Sequence, residues 1–239
     1  MQLNNIQALM IDLDGTMVDT MADFEAALNL ALADVDLPKV SRDVVNIAVG
    51  KGSEHLVRTV LTHQLALPEV QASDLVCNST TVESLYEPAF QRYQHHYGLV
   101  NGQLAEVYSG VLEGLQAFAG RGLPMACLTN KPTAFAKDLL ARKGLTGFFS
   151  HVHGGDAFPR KKPDPMPLLE TCKTLGTLPS RTLMLGDSQN DAQAARAAAC
   201  PVVLVTYGYN HGQRVQDTPA AAWVDTLADL PECMNATGR

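Results

Sequence analysis

The sequence predicts an α/β protein in which a doubly wound parallel sheet carries helices on both faces and one helical block is inserted after the first strand. Two observations support this fold class. Short apolar runs alternate with longer stretches of helical periodicity over much of the 239 residues. Between residues 20 and 97 the periodicity is helical alone. Strand–helix alternation implies crossover connections, and such connections build parallel sheets.

Four apolar runs are predicted to be buried strands, and a fifth is a weaker candidate. The four are QALMIDL (7–13), PMACLTN (124–130), TLMLGD (182–187) and PVVLVT (201–206), and the fifth is FFSHVH (148–153). Helical patterns occupy 111–122, 133–144, 165–176 and 188–199. The first three of them end on glycine, a common residue just after a helix. We assign residues 1–17 and 100–239 to a Rossmann-like core.

Residues 18–99 are predicted to form a separate helical cap domain. Helical periodicity covers 20–36, 41–49, 53–66 and a longer stretch at 69–97. Thr20 and Asp23 have the spacing of a capping box at the start of the first helix. A helical block of this kind should leave the sheet after the first strand and return to it near residue 100.

Composition argues against several classes of protein. The net charge is −7, and Arg160 to Lys162 is the longest basic run that stands out, which argues against broad binding to nucleic acid. No stretch approaches the ~20 apolar residues of a membrane-spanning helix. The five cysteines are scattered, as is typical of reduced thiols. We expect a cytoplasmic protein, a monomer or homodimer, that binds neither nucleic acid nor membranes.

Polar residues of a particular kind follow three of the predicted strands. Asp12 and Asp14 end the first, Thr129 and Asn130 end the second, and GDSQND ends the third. Ligands of open parallel sheets bind beyond the carboxyl ends of the strands. These side chains are therefore expected to converge at one edge of the sheet.

The carboxylates predict a metal site at that edge. Asp12 and Asp14 point to the same face if the strand geometry persists. Asp187 and Asp191 are four positions apart at a helix start, where acidic residues also occur simply because they favour the helix dipole. Four carboxylates gathered at one edge would repel one another without a cation. Hard oxygen ligands of this kind suit Mg²⁺, which often binds beside a substrate phosphate.

The expected phosphate group needs donors of its own. Thr129 offers a hydroxyl, and the Asn130 amide and the backbone around Gly15 offer N–H groups. A cation can come from RKKPDP (160–165), where the prolines restrict the backbone. The residues alone do not choose among Arg160, Lys161 and Lys162.

Four motifs, DLDGTMVDT, LTN, KKPDP and GDSQND, resemble those of the haloacid dehalogenase-like superfamily of aspartate-nucleophile phosphotransferases. Each motif alone is weak, but their order and spacing over nearly the whole chain are specific. The resemblance implies that Asp12 is the nucleophile and forms an aspartyl-phosphate. It implies that Asp14 is the general acid and then the base, and that Thr129 and Lys162 bind the phosphoryl group.

The same resemblance implies a magnesium site. Its expected ligands are Asp12, the Asp14 backbone carbonyl and Asp187, with Asp191 as a ligand or a close neighbour. The helical insertion matches the cap found between the first and second motifs in one class of the superfamily. Such a cap would exclude water and select the substrate.

Within the superfamily, AVGKGSEHLV (48–57), GGDAF and TYGYNHG are most similar to phosphoglycolate phosphatases. This similarity implies hydrolysis of 2-phosphoglycolate. Gly50, Lys51 and Gly52 precede a helix start that could bind an anion, and Lys51 or Arg58 could meet a substrate carboxylate. Hydrolysis of a phosphosugar or another small phosphomonoester, and a phosphomutase reaction, remain alternatives. A receiver-like signalling domain would need neither the cap nor so long a chain.

Overall fold

The computed structural model describes residues 3, 5–72, 80–231 and 234. Six parallel strands form the main sheet in the order β5-β4-β1-β6-β7-β8. They are β1 (Ala8–Ile11), β4 (Met125–Leu128), β5 (His151–His153), β6 (Thr182–Gly186), β7 (Val202–Val205) and β8 (Ala222–Val224). Two short strands, β2 (Val18–Asp19) and β3 (Glu106–Val107), pair antiparallel beside it. The predicted fold class is confirmed.

Among the described residues, four helices belong to the sheet and five lie between β2 and β3. The four are α6 (Val111–Gly120), α7 (Thr133–Arg142), α8 (Met166–Thr174) and α9 (Gln189–Ala197). The five are α1 (Met21–Ala33), α2 (Arg42–Ala48), α3 (Ser53–Leu65), α4 (Pro68–Gln71) and α5 (Val82–Val100). The predicted helical stretch at 69–97 thus corresponds to α4 and most of α5, and its residues 73–79 lie outside the described ones.

The centre of the sheet is β1, and its position follows from its apolar sequence. All four of its residues are fully buried, because helices cover both faces of the sheet. Leu9 is paired with Met125 of β4 on one side and with Leu183 of β6 on the other. Since the three strands are parallel and in register, their carboxyl ends reach the same edge together.

The sequence prediction missed three strands. β8 and the β2–β3 pair are two or three residues long and only partly buried, so they lack the apolar run that marks a core strand. The weak candidate at 148–153 is a strand only over His151–His153, because Thr146–Phe148 forms a short 3₁₀ turn.

The helices between β2 and β3 have an apolar cluster of their own. Leu28, Leu61, Tyr93 and Tyr97 are among its most buried members. Tyr209 and Phe135, from the sheet side, also pack against this cluster. The inserted helices therefore pack around their own centre and share only a small apolar contact with the sheet.

The predicted capping box at Thr20 and Asp23 is wrong. Thr20 makes no side-chain cap, and its hydroxyl instead donates to Asp14 Oδ1 at 2.8 Å. The buried Asp23 carboxylate accepts from the backbone N–H groups of Gly102 and Leu104, where the chain returns from the insertion. The first amides of α1 are satisfied by the Tyr209 hydroxyl, which accepts from Thr20 and Met21 at 2.8 and 3.1 Å. Residues far away in the sequence thus satisfy the start of α1, and the local capping box does not form.

Among the described residues, none of the helices has both the length and the apolar character needed to cross a bilayer.

Candidate active site

The carboxyl edge of the sheet brings together the side chains predicted for the site. Asp12 directly follows β1, Thr129 follows β4 and Asp187 follows β6. Asp12 Oδ1 accepts from the backbone N–H of Leu13 at 2.8 Å. Three neighbouring strands thus supply three different functional groups to one small volume, as the strand pattern indicated.

Of Arg160, Lys161 and Lys162, it is Lys162 that contacts these carboxylates. Its side chain is 2% exposed, and Nζ lies 3.1 Å from Asp12 Oδ1 and 2.7 Å from Asp191 Oδ1. Nζ also donates to the Leu128 carbonyl at 2.8 Å. Arg160 instead lies on the surface, paired with Asp164. The choice that the sequence left open among the three basic residues falls on Lys162.

The carboxylates carry more negative charge than Lys162 neutralises. Burial above all, with the neighbouring Asp191 and Asp14, raises the pKa of Asp12 to about 7 against the lowering effect of Lys162. Burial also raises the pKa of Asp187 well above its ordinary value, with Asp191 and Asp12 as further causes. A cation beside carboxylates buried this close together would favour their ionised forms.

The donor set fits Mg²⁺. Asp12, Asp187 and Asp191 each offer a carboxylate oxygen within 4.8 Å of the others, and all three oxygens are hard ligands. Asp187 is held firmly, because its Oδ2 accepts from the Tyr209 N–H at 2.6 Å and its Oδ1 from the Thr16 hydroxyl at 3.5 Å.

Asp191 is the most constrained of the three. Besides Lys162, it accepts from the backbone N–H groups of Asp187 and Ser188, both at 3.2 Å, and from the Ser188 hydroxyl at 2.9 Å. Asp191 thus accepts hydrogen bonds from the start of α9, which is the ordinary role for an acidic residue in a first turn. It also holds the Lys162 ammonium in place. Both of its oxygens have partners within the protein.

Asp14 lies beside Asp12 but has different partners. Its Oδ1 accepts from the Thr20 hydroxyl and from Lys131 Nζ, each at 2.8 Å. Lys131 was not singled out by the sequence analysis. The available signal was its position directly after the LTN motif, but an adjacent basic residue is usually solvated, and only the fold shows that this one is buried.

Thr129 and Asn130 both line the cavity, but they differ in what they can offer. Among the described residues, the Thr129 hydroxyl accepts only the Lys131 N–H, at 3.2 Å, and donates its proton to none of them. The Asn130 amide donates to the carbonyls of Gly50 and Lys162, at 2.9 and 2.8 Å, and accepts from the Lys162 N–H. Both Asn130 N–H groups are therefore occupied, and its side chain positions the Lys162 loop.

Of the four residues of the insertion that were predicted for the site, two line the cavity and two do not. Gly50 and Gly52 line the cavity, and the Gly50 carbonyl accepts from both Asn130 and Asn190. Lys51 is exposed and lines an outer groove. The structure does not bring Arg58 to the cavity: it pairs with Glu83 at 2.6 Å and stacks on the Tyr86 ring at 3.8 Å.

The cavity is small, about 40 Å³, and opens to solvent. One wall consists of strand ends, with Asp12, Asp14, Thr129 and Asp187. The other wall belongs to the insertion and is largely aromatic and aliphatic. Its members include Phe24, Val49, Leu56, Tyr93 and Tyr97.

The fold and this carboxyl edge define the class of protein, and the comparison with family models agrees. Residues 9–205 match the model described as haloacid dehalogenase-like hydrolase. The chain belongs to this family. The match spans both the strand ends and the helical insertion.

Curated relatives narrow the class further. A phosphoglycolate phosphatase of Thiobacillus denitrificans is 41% identical over 94% of this chain and 93% of its own length. One of Nitrosospira multiformis is 39% identical over 93% and 92%. Among solved structures, a predicted phosphoglycolate phosphatase from Haemophilus somnus has a TM-score of 0.87 at 30% identity, covering 95% of this chain and 97% of that one. The prediction of a phosphatase is confirmed.

Proposed function

We propose that the protein hydrolyses 2-phosphoglycolate to glycolate and phosphate through an aspartyl-phosphate on Asp12. The main support is the pairing at the cavity floor, where Asp12 lies 3.1 Å from Lys162 Nζ and Asp14 lines the same cavity. The substrate is inferred from the curated relatives, which are phosphoglycolate phosphatases at 39–41% identity.

In the first half-reaction an Asp12 carboxylate oxygen attacks phosphorus, and the bond from phosphorus to the ester oxygen breaks. Asp14 donates its proton to that oxygen, so glycolate leaves as the alcohol. In the second half-reaction Asp14 takes a proton from water, whose oxygen attacks phosphorus and releases Asp12. The Thr129 hydroxyl and the Lys162 ammonium bind the phosphoryl oxygens, since phosphoryl transfer depends mainly on positioning and charge neutralisation.

Asp12, the Asp14 backbone carbonyl and Asp187 would hold Mg²⁺, with Asp191 beside them. When bound, the ion supplies the positive charge that offsets the crowded carboxylates and the phosphate. Asp191 and Asn130 act by positioning Lys162.

We propose that residues 18–99 act as a cap over a core of residues 1–17 and 100–239. The apolar wall that the insertion presents would exclude water from the reacting phosphate. The same wall offers few polar groups for a hexose, which disfavours a phosphosugar or a phosphomutase substrate. Cytoplasmic location and a monomeric or dimeric state stay predictions.

The proposal is tested by phosphate release from 2-phosphoglycolate, phosphosugars and nucleotides, with and without Mg²⁺. We expect a Mg²⁺-dependent kcat/KM that favours 2-phosphoglycolate. Asp12→Asn should lower kcat by about 10⁴-fold or more, because it removes the nucleophile. The matched control is Asp217→Asn, an exposed position that should keep full activity. Equal activity on all esters would contradict the proposed substrate, and an active Asp12→Asn would contradict the mechanism.

A further inference from the structure

Lys131 is a buried cation that the proposed reaction does not use. Among the described residues that line the active-site cavity, it is the one with a positive charge. Its side chain is 2% exposed. A buried ammonium is costly unless its charge and its protons are matched by partners.

The partners of Lys131 leave part of this requirement open. An ammonium has three protons. One goes to Asp14 Oδ1 at 2.8 Å and another to the Tyr97 hydroxyl through a short hydrogen bond. The rings of Phe24 and Tyr97 lie 4.7 Å from Nζ and add cation–π attraction. In the described part of the chain, the structure gives the third proton no acceptor, and Lys131 lines the cavity.

A second observation points to the same place. The Tyr93 hydroxyl is buried and has no hydrogen-bond partner of good geometry among the described residues, although the Ser53 side chain is close by. The Tyr93 ring stacks on Tyr97 with centroids 5.4 Å apart, and both rings line the cavity. A buried hydroxyl without a partner is unfavourable, so it indicates an acceptor supplied by a ligand.

We propose that Lys131, together with the Tyr93 hydroxyl, recognises an anionic group on the leaving-group side of the substrate. The chemical class is the carboxylate of a short phosphorylated hydroxy acid. This inference rests on the proposed function and deepens it, because it assigns specificity for 2-phosphoglycolate to these two side chains.

The covalent structure of such a substrate supports the assignment. Asp14 must contact the ester oxygen to protonate it. In 2-phosphoglycolate the carboxylate carbon is only two bonds from that oxygen. A cation within hydrogen-bond distance of Asp14 is therefore close enough to contact this carboxylate. Lys131 meets that condition.

The cations predicted for this role lie elsewhere. Lys51 is exposed in an outer groove, and Arg58 is paired with Glu83. An exposed cation binds a carboxylate weakly because water competes for both charges, whereas a desolvated one binds it strongly. Burial thus favours Lys131 over both.

The test compares kcat/KM for 2-phosphoglycolate with kcat/KM for ethyl phosphate, which has a similar size but no carboxylate. The wild type should prefer 2-phosphoglycolate. Lys131→Met should lower this preference on the order of 10- to 100-fold, the range for a hydrogen bond to a charged group. Most of the change should lie in the KM for 2-phosphoglycolate. Any general effect of the substitution on Asp14 changes kcat/KM by the same factor for both esters and therefore cancels in the ratio.

Three further variants keep the test decisive. Lys131→Arg, which retains the charge, should recover part of the preference. Tyr93→Phe should lower the preference by a smaller factor without a loss of folding. Lys137→Met removes an exposed lysine of α7 and should leave both rates unchanged. If Lys131→Met does not fold, Lys131→Arg and Tyr93→Phe still decide the matter.

The failure of this inference can be distinguished from that of the proposed function. An unchanged preference in Lys131→Met and Tyr93→Phe, with an active wild type, would overturn the role of Lys131 alone. A wild type that releases no phosphate from 2-phosphoglycolate would overturn the proposed function itself.

Discussion

The two walls of the active-site cavity are built on different physical principles. On the sheet side, Asp12, Asp187, Asp191 and Lys162 are charged, and each is fixed by at least two hydrogen bonds or ion pairs. On the insertion side, the wall consists mainly of packed aromatic and aliphatic side chains. Hydrogen bonds also join the insertion to the sheet side, and the Gly50 carbonyl accepts two of them.

This difference implies that substitutions on the two walls of the cavity should have different effects. The sheet side is crowded with charge and has almost no free space, so small changes there should disrupt both stability and chemistry. The insertion side tolerates more change, because apolar packing is not directional. Changes there should alter affinity and substrate choice more than the reaction. The following predictions test this contrast, from the largest expected effect to the smallest.

Gly15→Ala should have the largest effect on stability. Gly15 has φ +80°, and a Cβ there would overlap the Asp187 carboxylate and approach the Tyr209 ring. We expect a loss of about 3 kcal/mol or more in the free energy of unfolding, since strain and overlap add. Urea denaturation measures this loss, and phosphatase activity should disappear with it.

Gly122→Ala is the matched control. Gly122 has φ +68°, but a Cβ there would meet no atom within 4 Å. It should therefore show only the backbone cost, about 1 to 2 kcal/mol. Equal losses in the two variants would show that the sheet side is less crowded than the structure indicates.

Magnesium should stabilise the protein more at pH 8 than at pH 5. Without the ion, burial first and neighbouring carboxylates second raise the pKa of Asp12 from 3.8 to about 7. The folded protein then binds more protons than the unfolded chain between these values, so stability falls as pH rises from about 4 to about 7. Mg²⁺ offsets that loss at pH 8 but competes with protons at pH 5.

Calorimetry with and without Mg²⁺ at the two pH values measures this effect. We expect the increase in Tm to differ by a few degrees, which corresponds to about 1 to 2 kcal/mol. Asp187→Asn removes a carboxylate from the cluster and should shrink the difference. A larger Mg²⁺ effect at pH 5 would contradict the assignment of the cation to these carboxylates.

Asn190→Ala should have the smallest effect. Its amide donates to the Gly50 carbonyl at 3.1 Å, while Asn130 keeps a second hydrogen bond to the same oxygen. We expect KM to rise by about two- to fivefold at nearly constant kcat. The variant loses one hydrogen bond between the sheet side and the insertion, which contributes about 1 kcal/mol or less. Steady-state kinetics measure this split.

Gln189→Ala is the control for that variant. Its side chain donates to Gln213, which lies outside the insertion. KM should therefore stay at the wild-type value. A fall in kcat with an unchanged KM in Asn190→Ala would place Asn190 in the chemistry and remove it from the link to the insertion.

Much of this could be predicted from the sequence, for identifiable reasons. The central strands are buried on both faces, so they appear as continuous apolar runs, and their polar ends appear directly after them. The glycines that follow α6, α7 and α8 have positive φ at Gly122, Gly144 and Gly176, as the helix-ending pattern indicated. The edge strand β8 was missed because its exposed residues need no apolar run.

The sequence by itself determined the sheet, the insertion and the three strand ends at which Asp12, Thr129 and Asp187 lie. Those properties depend on local pattern and on strand direction, which short-range chemistry encodes. The motif resemblance already implied Lys162, whereas only the tertiary structure showed that Lys131 also enters the site. Lys131, Lys161 and Lys162 are alike in sequence, but burial against carboxylates far along the chain separates Lys131 and Lys162 from an ordinary surface cation. Charge pairing over such distances cannot be read from neighbouring residues.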